Sequence, residues 1–225
     1  MHTQALSIRN NSSDLIDNPS ARCPCILVLD TSGSMEGAPI QELNAGLQAF
    51  LKDVQDDDIA AYAVDLGVIT AGGAVREVLP FTTVSSLQGV APLAAGGTTP
   101  LGEAVSLALR RLEERKAEYK RTGVAYYQPW LVIISDGVPT DAWQTAAQNA
   151  CALSQQRKLV VMPVGVAGAD LGVLGKFSSK AAMPLAGLKF REFFRWLSAS
   201  MSRVSASNST SASVSLPSTG SWDSI

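Results

Sequence analysis

Cys25-Ile-Leu-Val-Leu-Asp30 is an unbroken apolar run that ends on an acid. Such a run suits a strand buried on both faces, as in the middle of a parallel sheet. Thr31-Ser-Gly-Ser34 follows as a loop of small residues. Ile40, Leu43, Leu47, Phe50, Leu51 and Val54 then recur at three- and four-residue steps and predict one face of a helix. Asp56-Asp57-Asp58 predicts a solvated turn. Residues 61–70 and Val75 to Thr83 read as two strands joined across Gly72-Gly73, an antiparallel hairpin at a sheet edge. Gly96-Gly97-Thr98-Thr99-Pro100 is a loop, with Pro100 at the first position of a helix carrying Leu101, Val105, Ala108 and Leu112 on one face. Trp130 to Ile134 predicts another buried strand, closed by Ser135-Asp136-Gly137. Asp141 is the expected N-cap of a helix whose face carries Trp143, Ala146, Ala147, Ala150 and Cys151. Leu159 to Val166 reads as a strand, 170–180 as a short helix and loop, and 182–186 as a last short strand. Phe190, Phe193, Phe194, Leu197, Met201 and Val204 mark a final helix.

Alternating strands and helices predict an α/β fold: a Rossmann-like, open, mostly parallel sheet with one antiparallel edge strand and helices on both faces. Residues 1–22 read as a polar N-terminal arm, 23–204 as one folded domain, and 205–225 as a disordered tail. Nine of the last 21 residues are Ser. Their alternation also suits strand addition to a partner's sheet, and Trp222 suits a short docking anchor. In open α/β sheets ligands bind beyond the carboxyl ends of the strands, which makes Asp30 and Asp136 candidates for a site.

The net charge of −2 lacks the basic excess of a nucleic-acid binder. No stretch reaches the roughly 20 apolar residues of a membrane span, and the first residues lack a signal-peptide pattern, so a cytoplasmic setting is expected. His2 is the single histidine, which excludes Ser-His-Asp and Cys-His catalysis and His-rich zinc sites. Cys23, Cys25 and Cys151 form no disulfide framework or zinc spacing and read as buried, reduced thiols. Six Lys/Arg against two acids over 170–204 read as a solvated surface.

Three loops hold the remaining chemistry: Asp30-x-Ser32-x-Ser34, Gly96-Gly97-Thr98-Thr99-Pro100 and Ser135-Asp136-Gly137. Their shared donors are hard oxygens, two carboxylates and three or four hydroxyls, which suit Mg2+ or Mn2+. A divalent ion facing only two carboxylates stays electrophilic and would accept an acidic group from outside. In that order the three loops resemble the metal-ion-dependent adhesion site of von Willebrand factor type A domains, over roughly residues 23–204. The resemblance implies that Ser32 and Ser34 ligate the metal directly, that Asp30 and Asp136 do so directly or through water, and that a loop threonine joins them. Thr99 is favoured because Pro100-Leu101-Gly102 follows it, and Thr98 is the alternative because it follows Gly-Gly.

The stretches Arg22 to Met35, Gly96 to Ala104 and Leu188 to Leu197 are also similar to the TerY-type proteins of bacterial tellurium-resistance clusters. That similarity implies a Mg2+-dependent protein-binding adaptor in a stress response, with a partner Asp or Glu at the metal. It also implies a protein kinase and a PP2C-type phosphatase as partners. A subunit working with a separate AAA-type ATPase is the alternative, since the chain has no P-loop of its own. A Mg2+-dependent aspartyl phosphatase with Asp30 as nucleophile would show Asp-x-Asp, and here Ser32 stands at the second acid position, so no acid is placed to protonate the leaving group. The chain is therefore expected not to be an enzyme.

Overall fold

The computed structural model describes residues 15, 18, 20–136, 138–166 and 168–220. Along the chain run β1 (Cys23–Asp30), α1 (Ala38–Gln55), α2 (Ala60–Ala63), β2 (Val64–Gly72), β3 (Ala74–Thr83), α3 (Leu101–Thr122), β4 (Trp130–Ser135), α4 (Gln144–Gln155), β5 (Val160–Gly165), α5 (Leu171–Leu174), β6 (Met183–Pro184) and α6 (Phe190–Ser205). Single 3-10 turns lie at Gly33–Met35, Val84–Ser86 and Gly175–Phe177. The six strands form one sheet in the order β3-β2-β1-β4-β5-β6. All neighbouring pairs are parallel except β2 with β3. The expected α/β architecture with an antiparallel edge is what the chain adopts.

The unbroken apolar runs follow from burial on both faces. Along β1, Cys23, Cys25, Leu27 and Leu29 enter the core shared with α1 and α6, whereas Ile26 and Val28 enter the core shared with α3 and α4. β4 divides in the same way, with Trp130, Val132 and Ile134 on one side and Leu131 and Ile133 on the other. Side chains alternate across a strand, so two helix layers require apolar residues at every position. On the first face α1 and α6 approach closely at Gly46, where an added Cβ would lie 2.6 Å from Cδ2 of Phe194.

Several local expectations are corrected. Residues 60–63 form the helical turn α2, so the second strand starts at Val64 rather than 61. The acidic run is not wholly solvated, because Asp57 Oδ1 accepts from the N–H groups of Ile59 and Ala60 and caps α2. Pro100 stands one residue before the first helical position of α3. Asp141 does not cap its own helix: its carboxylate accepts from Gly102 and Glu103 N–H at 3.0 and 2.8 Å, so it caps α3 from across the loop. Cys23 and Cys25 are buried free thiols, but Cys151 is only half-buried. Burial and the nearby Asp65 carboxylate push the Cys23 thiol up to about 12.

The Ser-rich end is also corrected over its described part. Instead of standing free as a disordered tail, it lies on the domain, with Val214 and Leu216 packed against the α1–α6 core. Trp222 lies outside the described residues, as do residues 1–14 of the arm. Within the arm, Leu15 and Arg22 are buried, and Arg22 N–H donates to Ala125 O at 2.8 Å. Among the described residues no helix is long and apolar enough to cross a membrane.

Candidate functional site

β1 ends at Asp30, and its register with β4 sets Leu29 beside Ile134. That alignment brings Asp30 next to Ser135 and lets Asp136 reach over the end of the sheet. Asp30 is fully buried, with Oδ1 accepting from Ser32 N–H at 2.8 Å and Oδ2 from the Ser135 hydroxyl at 2.6 Å. A carboxylate that binds the amide two residues on folds the chain back into a tight turn. The 3-10 turn then closes, with Met35 N–H on Ser32 O at 3.0 Å and the Met35 side chain buried as its anchor.

The turn presents two hydroxyls on one side. Ser32 Oγ and Ser34 Oγ lie 3.0 Å apart, and Ser34 Oγ donates to Asp136 Oδ1 at 2.8 Å. Ser32 is buried, Ser34 is exposed and Asp136 is half-buried, so the cluster opens to solvent at one edge. Burial raises the proton affinity of the Asp136 carboxyl; the Ser34 hydrogen bond opposes this and the charge of Asp30 adds to it. Among the described residues no Lys or Arg pairs with either carboxylate.

The second loop is stitched to the first. Gly33 N–H donates to Gly97 O at 2.9 Å, Gly96 N–H to Thr31 O at 2.8 Å, and Gly73 N–H to Thr98 O at 2.8 Å. Gly97 has φ +78°, and a Cβ there would sit 2.5 Å from the Gly73 Cα, so only glycine allows the two loops to approach this closely. Thr99 is buried and Thr98 is exposed. Thr99 is held from the third loop: its N–H donates to Thr140 Oγ1 at 3.1 Å, and its carbonyl accepts from Thr140 N–H at 3.0 Å.

Thus Asp30, Ser32, Ser34 and Asp136 form one hydrogen-bonded cluster, and the Thr99 loop is tied to the same edge of the sheet. Gly137 of the third motif lies outside the described residues. Sequence reasoning named Ser135 only as part of the third loop, gave Asp141 a different role and passed over Thr140; Ser135, Asp141 and Thr140 orient Asp30, the start of α3 and Thr99 respectively. Ser135 was legible as the residue before Asp136; the other two depend on contacts across the loops. Among the described residues there is no group of three His, Cys, Asp or Glu side chains suited to a metal. Any cation held here would rest on two carboxylates and hydroxyl oxygens, a hard donor set that fits Mg2+ or Mn2+ and does not fit a soft metal.

The model of the von Willebrand factor type A domain matches residues 25–194. No curated protein is a detectable relative. Among solved structures, the pilus adhesin SpaC of Lactobacillus rhamnosus GG in its open conformation superposes with a TM-score of 0.68 at 13% identity, covering 81% of this chain and 30% of that one. Proximal thread matrix protein 1 of the mussel byssus gives a TM-score of 0.55 at 14% identity, over 82% of this chain and 49% of that one. The ArnB paralog VWA2 of Sulfolobus acidocaldarius gives 0.55 at 14% identity, over 80% and 45%. The chain therefore spans half or less of the length of these three structures, and at such identities the likeness concerns the fold. The family match covers most of the chain and both carboxylates of the site, and the chain belongs to the von Willebrand factor type A domain family, whose members often mediate protein–protein interaction.

Proposed function

We propose that the chain is a protein-binding module and not an enzyme, and that it works through a divalent cation, Mg2+ or Mn2+. Asp30, Ser32, Ser34, Asp136 and Thr99 would hold the ion. Thr99 is preferred to Thr98 because Thr99 is buried and Thr98 is exposed. When bound, the cation would supply an electrophilic position for an Asp or Glu of a protein partner. One observation carries this reading: the fully buried Asp30 carboxylate lies beside a second carboxylate with no Lys or Arg paired to either among the described residues. Buried charges are normally paired or coordinate metals. The chain's own part is to hold the serine turn rigid through Asp30 and Met35 and to keep the Thr99 loop against it.

The similarity to TerY-type proteins supports a cytoplasmic setting in a bacterial stress or tellurium-resistance system, with a kinase and a PP2C-type phosphatase as partners. The test is direct. Titration of Mn2+, followed by loss of the free-ion electron paramagnetic resonance signal, should give saturable binding by wild type. Ser34→Ala should weaken it about tenfold or more, with an unchanged melting temperature in EDTA. Equal Mn2+ binding by wild type, Ser34→Ala and Asp30→Asn would refute the assignment. A partner captured by wild type in Mg2+ and released by EDTA would then identify the acidic ligand.

A further inference from the structure

One side of α6 lies on the core, and the chain's own C-terminal segment runs back along another. Tyr127 fixes where this segment starts, its hydroxyl donating to the carbonyls of Ser205 and Ser207 at 3.2 and 3.0 Å. A turn follows, with Ala212 N–H on Ser209 O at 3.1 Å. From there the segment runs antiparallel to α6. Arg203 Nη1 donates to Ser215 O at 3.1 Å, and Trp196 Nε1, two turns nearer the helix start, donates to Pro217 O at 2.9 Å. Between these anchors Val214 and Leu216 pack inward against the core while Ser213, Ser215 and Ser218 stay exposed.

This arrangement combines the two parts of extended-segment recognition. Side-chain donors grip backbone carbonyls and so demand an extended chain, and apolar contacts two residues apart select its sequence. Residues 213–218 alternate small polar and apolar side chains and then reach proline, which matches that demand. We propose that this side of α6 is a docking groove for an extended segment with apolar residues two apart followed by proline. Residues 213–218 of the same chain are its resident occupant. The groove lies on α6 and the core, uses none of the candidate cation ligands, and is independent of the function proposed above.

The full-length Val214→Ser/Leu216→Ser chain removes the apolar contacts of the occupant and leaves the groove intact. A labelled synthetic peptide of residues 209–220 is titrated onto this variant and onto wild type, followed by fluorescence anisotropy. A tethered tail has an effective concentration on the order of 1 mM. For a peptide whose own Kd is on the order of 0.1 mM, the tethered tail is about tenfold in excess of it. Wild type should therefore bind the peptide about tenfold more weakly than the variant, and adding Trp196→Phe to the variant should weaken binding again. The indole N–H resonance of Trp196, assigned by its loss in Trp196→Phe, should shift in the variant and return when peptide is added. Equal peptide binding by wild type and variant, or an indole resonance that the variant leaves unmoved, overturns the proposal. Sedimentation as a dimer by wild type and as a monomer by the variant would place the tail on a second copy and overturn the assignment within one chain.

Discussion

Replacing Arg115 with methionine should remove a large part of the stability of this domain. Arg115 and Asp65 are both buried, and the guanidinium reaches Asp65 Oδ2 through Nε at 3.0 Å and Nη2 at 2.6 Å. Tyr119 also donates its hydroxyl to Oδ2, and Thr83 donates to Oδ1 at 2.7 Å. Burial works against the Arg115 charge, but the facing Asp65 carboxylate outweighs it and holds the guanidinium firmly protonated. In Arg115→Met the carboxylate keeps two hydroxyl donors and loses its counter-charge. Removing one partner of a buried pair costs about 3–5 kcal/mol, against a total stability of roughly 5–15 kcal/mol. At about 2–4 °C per kcal/mol for a domain of this size, the melting temperature should fall by on the order of 10 °C.

The companion change Asp65→Asn removes the charge that Arg115 left uncompensated. In the double variant the second substitution should therefore cost less than it does alone, with a coupling of about 1–3 kcal/mol in urea denaturation. Additivity to within about 0.5 kcal/mol, or a loss below about 1 kcal/mol for Arg115→Met, would refute the reasoning. Asp65 sits beside Pro24 at the start of β1, and Asp30 ends the same strand. The two are roughly 20 Å apart, so Mn2+ affinity of the folded variant should not change.

Gly46→Ala should destabilise the domain by on the order of 1 kcal/mol in urea, because overpacking against Phe194 and the Phe190 backbone exceeds the gain in helix propensity; a more stable variant would mean α6 has room to withdraw. In the folded protein at pH 8 an aromatic disulfide reagent should titrate Cys151 promptly, and Cys23 and Cys25 only after unfolding, since both are buried and burial raises their thiols; prompt reaction of more than one thiol would contradict this. Burial acts to raise the Asp57 carboxyl, but hydrogen bonds from the Ala60 and Ile59 N–H groups and from Ser202 lower it on balance. Its folded pKa therefore lies below its unfolded value, and the stability it contributes is present above the unfolded pKa and lost as pH falls through the folded one. Asp57→Ala should cost about 0.5–2 kcal/mol at pH 7 and little at pH 2; a cost independent of pH would remove the cap from the explanation.

The strands, the helices and the order of the three loops were legible because they rest on local rules. A run from Cys25 to Asp30 that is apolar at every position has few other uses than a central strand, and the three-to-four spacing from Leu43 to Val54 has few other uses than a helix face. Asp30, Ser32, Ser34 and Asp136 could be picked out from spacing because each pair of motif residues sits on one short turn. Their meeting was a tertiary matter: nothing local places β1 beside β4 with Leu29 opposite Ile134, and a different strand order would separate the two carboxylates. Asp141 was misread for the same reason, since an acid just ahead of a helix looks like that helix's cap until another helix's free N–H groups arrive beside it. The buried network joins Arg22, Asp65, Thr83, Arg115 and Tyr119 from four segments, and as isolated letters these residues look like surface polar positions. The tail shows the limit most clearly. Its composition has too few apolar residues to fold alone, and Val214 and Leu216 acquire a place only because α6 and the core already offer one. Periodicity and turn chemistry act over a few residues and can be read along the chain, whereas long-range hydrogen bonds and burial exist only once the sheet has chosen its neighbours.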